Sequence, residues 1–308
     1  SVALGVYVGP GAPAAAATAD QTLGGKVTYV LDFLPANTWA QLSDPAPFVQ
    51  SWRGSTLHFV IGIPMLPTNG GAMAQGAEGD YDPAFSRLAQ GLVTAGLGHA
   101  VLMVGWQPYS TQNRWRVTTA AAATQYVAYW DHIHQAMAGV PGARFVFEWD
   151  AGTVFGDHTD PALTYPGDRD VDIVATDAFD AGLDGVPAAQ QWAVLLDQPY
   201  GPGWLATFAA SHGKSIALAM SGLVPTSANG AGDNADFLGD SVRWAAANHA
   251  TMDLLWDMGT SAITRAVYPA AASFLAHAVH QGIVSAFPAS SSATAAGRVT
   301  DGGGTPAS

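Results

Sequence analysis

The chain has 308 residues, 49% of them apolar and 11% charged, which is enough apolar surface for a large core and excludes wholesale disorder. Its formal charge is −13 and its 11 basic residues are scattered singly, which excludes a phosphate-tracking surface and with it a nucleic-acid partner. Cysteine is absent, so there is no disulfide framework and no thiolate metal site, and no uninterrupted apolar run is long enough to span a membrane. The chain starts at Ser1 without a basic leader, which reads as a processed chain or fragment and, with the lack of cysteine, sets the expectation of a secreted or cell-surface protein.

Eight short apolar runs follow in order: Ala3–Val8, Val27–Asp32, Leu57–Ile63, His99–Trp106, Arg144–Trp149, Val171–Asp177, Ser215–Met220 and Met252–Asp257. Most are nearly continuous rather than alternating, as strands of a parallel sheet covered by helices are. Helical spacing lies between them. Phe85, Leu88, Leu92 and Val93 are expected on one face, and Tyr126, Trp130, Ile133 and Met137 on another. Strand and helix alternating over this length predict an α/β fold, a (β/α)8 TIM barrel over residues 1–285 as a single domain. A doubly wound sheet is the competitor, but Val8-Gly9-Pro10-Gly11 is a poor match to a phosphate-binding turn. Residues 286–308 are almost wholly Ala, Ser, Gly, Thr and Pro, which predicts a low-complexity tail or linker, and an assembly role for barrel and tail stays open.

In such barrels the reacting groups come from the C-terminal strand ends. Here those ends alternate carboxylates with aromatics: Asp32 followed by Trp39, Trp106, Glu148-Trp149-Asp150, Asp177 with Asp180, and Trp256-Asp257. The combination suits sugars, whose ring faces stack on indoles while their hydroxyls bond carboxylates. Trp39, Trp106, Trp149 and Trp256 are therefore expected to line a cleft, with Asp32, Asp150, Asp177 and Asp180 as hydroxyl partners. Each residue also has a plainer reading, a Trp closing the barrel or an Asp capping a helix.

No cofactor or metal is called for. His132 and His134 fall on different helix faces, His277 and His280 lack a third ligand, and the aspartates at 157, 160, 168, 170 and 172 lack calcium-loop spacing. Ser221 lacks the preceding glycine of a nucleophile elbow.

Several stretches carry a resemblance to a known family: Gly5-Val6-Tyr7-Val8-Gly9-Pro10-Gly11, Gly62-Ile63-Pro64-Met65-Leu66-Pro67, Tyr81-Asp82 with Leu88-Ala89, Gly105-Trp106, Tyr165-Pro166-Gly167-Asp168 with Val171-Asp172-Ile173, and His212-Gly213-Lys214. In this order, over about residues 3–260, the chain resembles bacterial glycoside hydrolase family 26, the β-mannanase type. The resemblance implies a (β/α)8 barrel acting on β-linked polysaccharide, usually mannan, by a retaining mechanism with two glutamates. In that family one glutamate follows Gly-Trp on strand four and the other ends strand seven. Here those positions hold Gln107 and Met220, and Met103 replaces an arginine common before Gly-Trp.

Retaining hydrolysis needs one carboxyl to protonate the leaving oxygen and one to attack the anomeric carbon. Gln107 can hydrogen-bond a glycosidic oxygen without giving up a proton, and the Met220 thioether forms no glycosyl ester. Only two glutamates exist in the whole chain, Glu78 in a glycine-rich loop and Glu148. The leading expectation is thus a pseudoenzyme of the β-mannanase-like type that binds polysaccharide or serves as a surface module. The alternatives are a glycosidase using relocated carboxylates, from Asp150, Asp177 and Glu148, and a structural subunit of an extracellular assembly. Glu148 reaches the site only if Trp149 faces the helices.

Overall fold

The computed structural model describes residues 1–150 and 160–284. Eight parallel strands close into a barrel in sequence order: β1 (Ala3–Tyr7), β2 (Val27–Phe33), β3 (His58–Ile63), β4 (Val101–Val104), β5 (Arg144–Trp149), β6 (Ile173–Phe179), β7 (Ser215–Gly222) and β8 (Met252–Trp256). Among the described residues ten α-helices surround it: α1 (Pro13–Thr22), α2 (Trp39–Leu42), α3 (Ala46–Ser51), α4 (Met73–Ala77), α5 (Asp82–Thr94), α6 (Ala120–Ala136), α7 (Gln191–Asp197), α8 (Pro202–His212), α9 (Ala235–Ala247) and α10 (Pro269–His280). The expected (β/α)8 barrel, a single domain, is the observed fold. The expected tail, 286–308, and Asp157 lie outside the described residues.

Successive side chains of a strand point to opposite faces, so each strand divides its residues between the barrel interior and the helical layer. Ala3, Tyr7, Tyr29, Leu31, Val60, Val101, Met103, Val146, Ile173, Ala175, Ala217, Met252 and Leu254 meet in the interior. Their neighbours Val6, Val30, Ile61, Leu102, Phe147, Val174, Leu218 and Leu255 pack outward under the helices. Both faces are dry, which is why the runs read as continuous apolar segments.

Gly5 faces inward, and a Cβ there would sit 2.3 Å from Leu254 Cδ2 and 2.8 Å from Tyr29 Cβ. Gly5→Ala is therefore expected to destabilise by ~1–3 kcal/mol through overpacking. Urea denaturation checks this, and an unchanged midpoint would contradict the tight interior.

The helix faces follow the sequence pattern with one exception. Tyr126, Trp130, Ile133 and Met137 are fully buried, as are Phe85, Leu88 and Leu92, but Val93 is 43% exposed. Ala89, four residues after Phe85, takes the inward place instead, because position 93 has rotated off the stripe. His132 and His134 face different partners, Asp82 at 3.0 Å and Asp170 at 3.4 Å.

Strand six runs two residues beyond its expected end. The extension carries Phe179 to the barrel mouth.

Candidate functional site

At the C-terminal mouth lies a cavity of about 370 Å³ bordered by Tyr7, Phe33, Trp106, Gln107, Phe179, Met220 and Trp256. Tyr7, Phe33, Phe179 and Trp256 are the inward-facing residues closing β1, β2, β6 and β8. Four rings form a continuous wall, with centroids 4.3 Å apart for Trp256 and Tyr7, 5.4 Å for Tyr7 and Phe33, and 4.6 Å for Phe33 and Trp106. Trp115 buttresses Trp106 edge-on at 4.9 Å and donates its Nε1–H to the Trp106 carbonyl. The Phe33 ring lies across Gly62 on β3, where a Cβ would meet its Cδ1 at 2.3 Å.

Gln107 and Met220 both border this cavity. Gln107 follows Gly105-Trp106 after β4 and adopts φ 46°, a left-handed conformation rarely taken by a residue with a side chain. Three contacts hold it there: its N–H donates to Glu148 Oε2 at 2.8 Å, its Nε2 to Asp177 Oδ2 at 3.3 Å, and its carbonyl accepts Asn113 Nδ2 at 3.0 Å. Met220 sits where the β7–β8 register slips between Leu218 and Ser221, so that Ala219 and Met220 both join the interior. Ser221 turns away and donates its hydroxyl to the buried Asp253.

Behind Gln107 three carboxylates gather. Trp149 faces the helices, packing edge-on against Trp204 at 4.8 Å and Phe208 at 5.7 Å, and this sends Glu148 into the barrel. Glu148 is fully buried, and among the described residues its Oε1 has no hydrogen-bond partner. Burial, then the charges of Asp177 and Asp150, hold its carboxyl well above the usual range against the opposing Gln107 N–H. Asp150, 5% exposed, also has an oxygen, Oδ2, without a hydrogen-bond partner among the described residues. Burial and the Asp177 charge push it up to about 8. Asp177 lies beside Met220 across the β6–β7 ladder and below Phe179 on its own strand.

The other expected site residues lie elsewhere. Trp39 stacks on Tyr81 at 4.1 Å and Trp149 packs outside the barrel, so neither borders the cavity. Asp32 is an outward residue of β2 whose carboxylate accepts N–H groups of Gly11, Phe33 and Trp52. Asp180 accepts the N–H of Val224 at 2.6 Å and of Ala231 at 3.3 Å. Both carboxylates hold loops in place rather than line the cavity. Tyr7, Phe33 and Phe179 were not among the expected site residues. Their signal was strand parity, an aromatic two residues after an inward position on β1, β2 and β6.

No family model matches the sequence, nor does any curated protein. The fold, however, is shared with solved β-mannanases of glycoside hydrolase family 26. The enzyme from Bacteroides ovatus superposes with a TM-score of 0.54 at 15% identity, covering 90% of this chain and 87% of that one. The family 26 domain of a Prevotella bryantii endo-β-mannanase/endo-β-glucanase gives 0.57 at 13% identity over 92% and 89%. A Cellulomonas fimi endo-β-1,4-mannanase double mutant gives 0.58 at 13% identity over 89% and 70%. The chain thus shares the (β/α)8 barrel fold of these enzymes, with its cavity at the C-terminal face of the barrel.

Proposed function

We propose that the cavity binds a β-linked saccharide, of a polymer outside the cell, without cleaving it by the two-glutamate mechanism. The observation that carries this reading is the lining of the cavity: five aromatic rings border it and offer stacking faces, while Gln107 and Met220 stand where the family resemblance puts the two glutamates. None of the seven bordering residues is a carboxylate. The volume falls at the lower end of small-molecule sites, which run ~300–1,000 Å³. Losing a nucleophile from a coupled catalytic set costs about 10⁶-fold in a comparable case.

A second reading, hydrolysis by Glu148, Asp150 or Asp177, draws on the raised pKa of Asp150, which suits a general acid. One experiment separates the two. Micromolar protein is incubated for days with β-mannan, β-glucan and xylan, while oligosaccharide binding is followed through quenching of Trp106 and Trp256. Quenching without reducing-end release is the expected result. Release with a bell-shaped pH profile that disappears in Asp150→Asn would establish the second reading instead.

A further inference from the structure

Two residues of the turn after β4 take left-handed conformations, Gly105 at φ 59° and Gln107 at φ 46°. Glycine adopts such a conformation freely, whereas a residue with a side chain stays there only when its surroundings hold it. A glycine at position 107 would relieve that strain and leave no carboxamide at the cavity, which Gln107 borders. The strained backbone is thus tied to the presence of this side chain at the barrel mouth.

Both ends of Gln107 are clamped. Its carbonyl accepts the Ser110 N–H and the Asn113 Nδ2–H, each at 3.0 Å, and Asn113 also donates to the Trp106 carbonyl at 2.9 Å. Those contacts are local to the turn. The N–H of Gln107 is held from another strand, by Glu148 Oε2 at 2.8 Å, 41 residues further along the chain. Glu148 is fully buried inside the barrel, and taking a carboxyl out of water weighs against the fold. An apolar side chain would fill the same space without that penalty, but it could not accept an N–H. With the acceptor removed, Gln107 is free to relax toward the right-handed region, which swings its Cα–Cβ bond and carries the carboxamide away from the cavity.

Resting on the saccharide reading above, we propose that Glu148 is a positioning residue of the binding site: by accepting the Gln107 N–H it keeps Gln107 left-handed and its carboxamide at the cavity, where the carboxamide hydrogen-bonds the saccharide. Glu148 is not one of the residues bordering the cavity and acts on the ligand through Gln107. A site whose binding-competent conformer is only fractionally populated loses affinity by that fraction. Releasing Gln107 into a mixture with about one tenth in the present conformation therefore weakens binding roughly tenfold.

The test measures affinity for mannohexaose, cellohexaose and xylohexaose by calorimetry, with a melting temperature for each variant. Glu148→Gln keeps an acceptor oxygen at the same reach and is expected to bind within about threefold of the wild type. Glu148→Asp keeps the carboxylate but withdraws it by one methylene, and it is expected to weaken binding roughly tenfold, as is Glu148→Ala. Gln107→Ala should weaken binding by a similar factor, and Glu148→Asp should add nothing further in that background, because the two residues act as one unit. A role in folding alone moves the melting temperature and leaves the affinity of the folded protein unchanged. Affinity that survives Glu148→Asp and falls in Glu148→Gln, or losses that add in the double variant, would overturn the positioning role and leave the saccharide reading standing. A wild type that binds none of the three hexasaccharides would remove both.

Discussion

Replacing Asp32 by alanine is expected to lower the unfolding free energy by ~3–6 kcal/mol, a large share of the ~5–15 kcal/mol typical of a domain. The reason is the number of donors it serves. Oδ2 accepts the Gly11 N–H at 2.9 Å and the Trp52 Nε1–H at 2.6 Å, and Oδ1 accepts the Phe33 N–H at 2.7 Å. These donors come from the loop after β1, from the residue closing α3 and from the end of β2, so one carboxylate ties three segments together. Each buried donor left without an acceptor costs ~1–3 kcal/mol. Burial raises the Asp32 pKa in spite of those donors, so the charge itself carries a desolvation penalty that alanine removes in part. Thermal unfolding near neutral pH should show a fall of roughly 10–20 °C. Asp32→Asn keeps an acceptor oxygen and should lose about half as much. A change below ~1 kcal/mol for alanine would mean that water replaces the carboxylate in the variant. Because Phe33 lines the cavity, the alanine variant should also weaken saccharide binding at temperatures where it remains folded.

What the sequence reveals of this fold depends on the range of the interactions. The barrel was legible because each strand is apolar on both faces and each helix carries one stripe, and both signals are local. Gln107 and Met220 were legible through motif order alone, and the structure brings both to one cavity. Glu148 was legible only conditionally, since its direction hangs on which face of β5 meets α8. Trp204 and Phe208, more than fifty residues away, decide it by packing on Trp149. Asp32 and Asp180 read as rim carboxylates because their partners lie 20–21 and 44–51 residues distant, invisible to any pattern within a strand. Parity would have separated them, because Leu31 and Phe33 face inward and Asp32 between them cannot. The same parity applied to β1, β2 and β6 yields Tyr7, Phe33 and Phe179. The register slip that turns Met220 inward beside Ala219 breaks parity, and no local pattern announces it.

Stability is expected to fall as pH rises from about 4 to 8, opposite to the usual gain of a carboxylate-stabilised fold. Asp253 is fully buried on the outer face of β8, with the Ser221 hydroxyl donating to Oδ1 and Oδ2 unpartnered. Burial raises its pKa from 3.8 to about 6, and Asp150 is raised to about 8. A carboxyl with a folded pKa above its unfolded value keeps a proton that the unfolded chain has released. The folded state then binds more protons, and the slope of stability with pH is negative. The contribution is fully present below the unfolded pKa and is lost as pH climbs through the folded one, from about 4 to 6 for Asp253 and on to about 8 for Asp150. About two pKa units at Asp253 correspond to ~3 kcal/mol. Asp168 and Asp170 are shifted the other way, by the hydrogen bonds of His212 and Arg169 respectively, and act at lower pH. Asp253→Asn keeps an acceptor for Ser221 and cannot ionise. Relative to the wild type its stability should therefore rise with pH between 4 and 7, by ~2–3 kcal/mol, and then level off. Parallel curves for the two proteins across that range would show that Asp253 ionises without cost, through water reaching Oδ2.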